Sequence, residues 1–213
     1  MNIRKIFSDA ARLLYLGVGI SDPGTIPRKI DLWKIASGEG WKLLNLSASS
    51  HPFKGREAVR FDPREGEGLA LYEELELSFC KIDLSVAAIK QTVGLVFAAR
   101  SEKDYRLVTF DVHTAAQNGQ PQLKLVIGTN GKRAELELPS HLIDEWISVR
   151  LVVDPNFAAV FVNGNNMPCL KIPADESNRD GLSNGKIGFW VAGNSEALLA
   201  DLKYIQTRKR DFE

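Results

Sequence analysis

The feature that most constrains this chain is a rhythm of short alternating runs, broken by tight turns, from about Ile30 onwards. "LKLVIGTNGKRAELEL" (Leu123 to Leu138) sets two such runs around Asn130-Gly131. That dipeptide suits a two-residue type I′ hairpin turn, in which both central residues need φ > 0. "WISVRLVVDPNFAAVFVNG" (Trp146 to Gly164) reads as a second hairpin turned at Asp154-Pro155-Asn156, and "VFVNGNNMPCLKI" as a third with a longer loop. "ELELSF" (Glu74 to Phe79) alternates strictly, with Leu75, Leu77 and Phe79 on one side, and reads as a strand. "GLVFAAR" and "YRLVTFDVH" follow, joined by a turn at Ser101 to Asp104, and "GKIGFWVAG" and "ALLADLKYIQT" come last. Strands this short, punctuated roughly every ten residues and with no helical period between them, predict an all-β fold. The expected architecture is a sandwich of two antiparallel sheets.

The first residues follow a different period. Ile3, Ile6, Phe7, Ala10, Leu13 and Leu14 recur at helical spacing, with Arg4, Lys5, Ser8, Asp9 and Arg12 on the other side. The spacing predicts a short amphipathic N-terminal helix, which with the loop "SDPGTIP" fills residues 1–29 and precedes a sandwich over 30–213. A helix of this kind can pack on its own domain or meet a protein partner. Asp9, and the lack of an A-x-A-type site after Ile20, argue against a secretory signal. No apolar run is long enough to predict a membrane span.

The 27 basic and 27 acidic side chains cancel. A nucleic-acid-binding chain usually carries a basic excess or stripe, so that class is not expected, and Arg208-Lys209-Arg210 reads as a solvated tail. Cys80 and Cys169 lie in strand-like runs without a CxxC partner. Each reads as a small buried hydrophobe, or the two as one disulfide.

The order of segments resembles the concanavalin A-like lectin/glucanase superfamily, and more narrowly its laminin G-like and 3-keto-disaccharide-hydrolase-like sandwiches. The matching elements are Gly94 to Phe97, Lys103 to Tyr105, Trp146 to Leu151, Val162 to Gly164 and Gly185 to Phe189. The resemblance implies a two-sheet jelly roll whose curved inner sheet often binds glycan. In it Trp146 and Phe189 would fill the core, and Gly164 and Gly185 would serve turns. These motifs specify fold far better than function.

Candidate ligand-binding residues come from alternation. Thr109, Asp111 and His113 share one face of "RLVTFDVHT", opposite Val108, Phe110 and Val112. An Asp and a His two residues apart can grip sugar hydroxyls, exchange protons or hold a metal. With His51 and His141 in loop-like contexts, a His-rich metal site is not expected, and neither is a cofactor. In "KIGFWVA" the inward set is Ile187, Phe189 and Val191, which turns Trp190 to the opposite face as a platform for a sugar ring. Arg100 and Arg150 are expected opposite their apolar neighbours, within reach of Asp111 or of the Glu74/Glu76 pair. Glucanases place paired carboxylates on alternate positions of one strand. Among the strand-like runs Glu74-Leu75-Glu76 is the nearest candidate, but it lacks the Asp and distal Glu of E-x-D-x-x-E. No Walker, Rossmann or HExxH pattern occurs. The reading is a non-catalytic carbohydrate-binding module, with a glycoside hydrolase or a protein-interaction domain as alternatives.

Overall fold

The computed structural model describes residues 26–114, 119–129, 132–154, 156–173 and 184–207. The amphipathic helix expected near the N-terminus lies outside them, as do Asn130-Gly131 and Pro155. Among the described residues fourteen strands form two antiparallel sheets linked through one strand. In chain order they are β1 (Arg28–Lys29), β2 (Trp41–Leu44), β3 (Leu46–Ser50), β4 (Val59–Pro63), β5 (Gly68–Tyr72), β6 (Phe79–Ala99) and β7 (Arg106–Thr114). There follow β8 (Pro121–Thr129), β9 (Lys132–Leu138), β10 (Ile147–Asp154), β11 (Phe157–Val162), β12 (Leu170–Pro173), β13 (Lys186–Val191) and β14 (Glu196–Thr207). A single helical turn, α1 (Lys34–Ser37), follows β1 and ends on Gly38 in the left-handed region.

The first sheet runs β12–β11–β10–β6–β14–β4–β3, with β1 also against β14. The second runs β9–β8–β7–β6–β13–β5–β2. Strand β6 serves both. Residues up to Lys90 pair with β10 and β14, and from Gln91 the strand pairs with β7 and β13. Gln91 takes φ 56° at this changeover. The expected hairpin pairings are present: Thr129 pairs with Lys132 and Asp154 with Phe157.

Alternation sends one residue in two inward. Ile82, Leu84 and Val86 meet Val93, Leu95, Phe97, Val108, Phe110, Leu125 and Phe189 in one core. At its centre Phe189 stacks on Trp41, ring centroids 5.9 Å apart, and touches Phe61 at 5.6 Å. Each such side chain contributes about 1.5–3 kcal/mol of burial. Gly188, next to Phe189, lets β13 lie against β5, because a Cβ there would sit 2.0 Å from the Ala70 carbonyl oxygen.

Three expectations need correction or resolution. "ELELSF" is not a strand: Glu73 and Glu74 turn, and only Leu77 bridges, to Gly185, before β6 begins at Phe79. The alternation there reflects an extended connector that buries Leu77 while crossing from one sheet to the other. Trp146 leaves the main core. It sits half-buried outside the first sheet, where its Nε1–H donates to the Phe53 carbonyl and its ring meets Phe53 edge-on. Cys80 and Cys169 are both free thiols. No helix among the described residues is long and apolar enough to cross a membrane.

Candidate functional site

The outer face of the second sheet gathers most of the side chains singled out by alternation. Register defines its rows. One runs Leu44–Leu69–Trp190–Gly94–Thr109–Val126–Glu135, and the next Thr92–Asp111–Lys124–Glu137. His113 follows on β7, across from Gln122. On the other side of the Trp190 row lies Leu71–Gly188–Val96–Leu107–Gly128. The face therefore has an apolar half and a polar half that meet at Gly94.

In the apolar half, Leu69, Leu71, Val96 and Ala99 are buried against Leu44, Tyr105, Leu107 and Trp190. Trp190 is half-buried, and its Nε1–H donates to Glu67 Oε2 at 3.2 Å, which fixes the ring's direction. Burial, with Glu67 close by, raises the Tyr105 pKa and keeps its phenol protonated. Gly94 lies between Trp190 and Thr109. A Cβ at Gly94 would stand 3.1–3.2 Å from the Leu107 and Thr109 side chains, so glycine leaves a bare floor there. Trp190 and Thr109 are two strand spacings apart, about 10 Å, which leaves room for a sugar ring between them.

In the polar half, Thr92 Oγ1–H donates to Asp111 Oδ1 at 2.7 Å, and Asp111 pairs in register with Lys124. Lys124 in turn lies 3.8 Å from Glu135. His113 has a buried Nδ1 without a hydrogen bond among the described residues. The arrangement offers acceptors on Asp111, a donor on Lys124 and either on Thr109, beside an aromatic platform. It holds no group of three His, Cys, Asp or Glu side chains fit to bind a metal, among the described residues.

Arg100 stands at the end of this face, in the turn after β6, with its N–H donating to the Asp104 carbonyl. It lines a cleft of about 340 Å³ with Lys42, Leu71, Glu73 and Lys186, and a wider one with Glu76, Ser78 and Asn184. Lys42 pairs with Glu102 and Lys186 with Glu73, so much of the charge near Arg100 is internally matched. Arg150 is not part of the site. It projects from the first sheet, where Asp83 accepts from its Nε at 2.6 Å and receives a second, longer contact at 3.4 Å. It pairs neither with Asp111 nor with the Glu74/Glu76 pair. Glu74 instead accepts from Tyr72 Oη at 2.8 Å, and burial with this bond pushes the Tyr72 pKa up to about 12.

Thus Thr109, Asp111, His113 and Trp190 come together, Arg100 borders them and Arg150 does not. Sequence reasoning missed Glu67, Tyr105, Thr92 and Lys124. Period two on β8 could have found Lys124. Nothing local points to Glu67, which meets Trp190 only through the fold.

No family model matches the chain, and no curated protein sequence matches it. Solved structures do. The carbohydrate binding module CBM66 from Bacillus subtilis superposes with a TM-score of 0.53 at 12% identity, covering 78% of this chain and 94% of that one. Peanut lectin gives 0.55 at 12% identity, with 86% and 97% covered. The Crh5 transglycosylase, in complex with NAG, gives 0.53 at 8% identity, with 85% and 83% covered. At this level of identity the likeness shows the fold alone: a lectin-like sandwich of two antiparallel sheets.

Proposed function

We propose that the protein is a non-catalytic carbohydrate-binding module, and that it seats a glycan on the outer face of the second sheet. The observation that carries this reading is the Trp190 ring, oriented by Glu67 and set beside the bare floor at Gly94. An indole face covers the apolar side of a pyranose, while carboxylate, hydroxyl and ammonium groups along the adjoining row satisfy its hydroxyls. Thr92, Asp111 and Lys124 supply that row and Thr109 adds a hydroxyl in the Trp190 row, with His113 one row further on and Arg100 at the far rim. Similar structures include a carbohydrate binding module and a lectin, which supports a sugar ligand. The two carboxylates nearest the Trp190 ring and the Gly94 floor are engaged with neighbours: Glu67 holds Trp190, and Asp111 is held by Thr92. That favours binding over glycoside cleavage.

A glycan array and polysaccharide-retardation screen tests the reading, with Trp190→Ala, Asp111→Ala and the opposite-sheet control Arg150→Ala alongside. Retention of a glycan by the wild type and by Arg150→Ala, lost in the other two without product release, is the expected result. Release of reducing sugar during incubation would move the protein to the hydrolases instead. Failure of the folded wild type to retain any glycan would reject the sugar ligand.

A further inference from the structure

The first sheet is interrupted at one point along β14. The partner of β14 on that edge changes from β4, where Val59 pairs with Leu199, to β1, where Lys29 pairs with Lys203. Ile30 still donates its N–H to the Leu202 carbonyl, and the chain then turns away through Asp31 and Trp33 into α1. On the other side of the gap it arrives through Glu57 and Ala58 to begin β4. Opposite the gap β14 bulges: its register on β6 slips between Ala200 and Lys203, and Asp201 takes φ 58°. A bulge re-aims a side chain. Between these segments lies a cleft of about 350 Å³, within the range of about 300–1,000 Å³ that small-molecule sites occupy.

We infer that this cleft is a second glycan seat, which takes a neutral sugar and makes the protein bivalent. The inference rests on the sugar-binding reading for the class of ligand, and on its own residues for the site. Ile30, Leu32, Val59 and Leu199 give the cleft a buried apolar lining. Its rim is polar, except for Trp33, which is 39% exposed. An apolar floor with a few polar groups and an open indole is the composition of a small-molecule site, and an indole face covers the apolar side of a sugar ring.

The rim divides into groups that are spent and groups that are available. Arg56 Nη1 donates to Ser85 Oγ at 2.9 Å and to Asp201 Oδ2 at 3.3 Å, so this pair neutralises itself and fixes one wall. Asp31 Oδ1 accepts the Trp33 backbone N–H at 3.0 Å, which holds Trp33 at the lip and leaves Oδ2 for a ligand. Lys29 and Glu57 have no hydrogen-bond or ion-pair partner among the described residues. Acceptors on Asp31 and Glu57 and a donor on Lys29 thus surround an indole, which is the complement that Asp111, Lys124 and Trp190 form on the second sheet. The charges nearly balance, Lys29 and Arg56 against Asp31, Glu57 and Asp201, which favours a neutral polyhydroxyl ligand over an ion. The carboxylates are not grouped closely enough to hold a metal, among the described residues. No residue of the Trp190 rows lines this cleft, so the two seats can be filled together and hold a polysaccharide by avidity.

Fluorine NMR of the full chain labelled with 5-fluorotryptophan tests this, because the four tryptophans, Trp33, Trp41, Trp146 and Trp190, report separately. Trp33→Phe and Trp190→Phe assign the two resonances that matter. The probes are cellotetraose, xylotetraose, mannotetraose and the fructotetraose nystose, each titrated alone. Saturable shifts at both Trp33 and Trp190, with Trp41 and Trp146 unmoved, are the expected result. The Trp33 shift should persist in Trp190→Ala. Glu57→Ala should weaken the Trp33 curve about tenfold, as loss of one charge-assisted hydrogen bond does, and leave the Trp190 curve alone. A shift at Trp190 without one at Trp33, or a Trp33 curve indifferent to Glu57→Ala, would overturn the second seat and leave the glycan face of the second sheet standing. A shift at Trp33 alone would do the reverse. Silence of both indoles with all four sugars would reject both.

Discussion

On the outer face of the first sheet, Arg150 is held by Asp83, and Arg56 by Asp201 and Ser85 while lying over the Trp146 ring. On the outer face of the second, Trp190 is half-exposed and Thr109, Asp111 and Lys124 line up beside it. Both faces arise from the same alternation, and both carry aromatic and charged side chains. They differ in what those side chains meet. The first face turns its charges on one another and buries two phenylalanines. The second spreads its apolar and polar halves apart around a glycine. Possession of an aromatic and an arginine therefore does not make a binding face. The polar groups must remain available, and the ring must have one open side.

The largest expected effect breaks the support common to both faces. Phe189→Ala should destabilise the protein by about 3–5 kcal/mol, lowering Tm by roughly 10 °C in thermal unfolding, because the core has no way to refill the space between Trp41 and Phe61. Trp190→Ala sharpens the contrast between the faces. It should weaken glycan binding at least about thirtyfold in calorimetric titration, as a truncated aromatic anchor does, while Tm moves far less than in Phe189→Ala. A similar loss on Arg150→Ala would erase the distinction.

Smaller effects follow. Asp83→Asn or Arg150→Ala should cost at most about 1 kcal/mol, since the pair is partly solvated, and should leave affinity unchanged. Burial pushes the Cys80 thiol up to about 12, whereas Cys169 is half-buried at the surface of the core. At pH 8 Ellman's reagent should therefore titrate Cys169 in the native protein, and both thiols only after denaturation. Rapid native modification of Cys80 would show that the first sheet opens.

Much of this contrast was legible in the sequence. Period two on "RLVTFDVHT" and "KIGFWVA" indicated which residues face outwards, and the Asp-Pro-Asn signal indicated the hairpin that pairs β10 with β11. Alternation gives a face but not a sheet. Arg150 and Trp190 both face outwards, yet on opposite sides of the molecule, because sheet membership depends on pairings between distant strands. The same limit hid Glu67 from Trp190 and Asp83 from Arg150. "ELELSF" misled for a related reason: burial alternates along any extended chain, whether or not a neighbour supplies the hydrogen bonds that make a strand. Trp146 was expected inside because large aromatics are usually core. It lies outside because its indole N–H finds the Phe53 carbonyl and its ring finds Phe53 and Arg56.

The most direct measurement is a chemical-shift map of the isotope-labelled protein during titration with the glycan that the screen selects. The account predicts perturbations at the Trp190 indole N–H and at the amides of Thr92, Gly94, Thr109 and Asp111, with β10 and β11 unmoved. Shifts centred on β10 and β11, with the Trp190 indole silent, would contradict it and place the ligand on the other face.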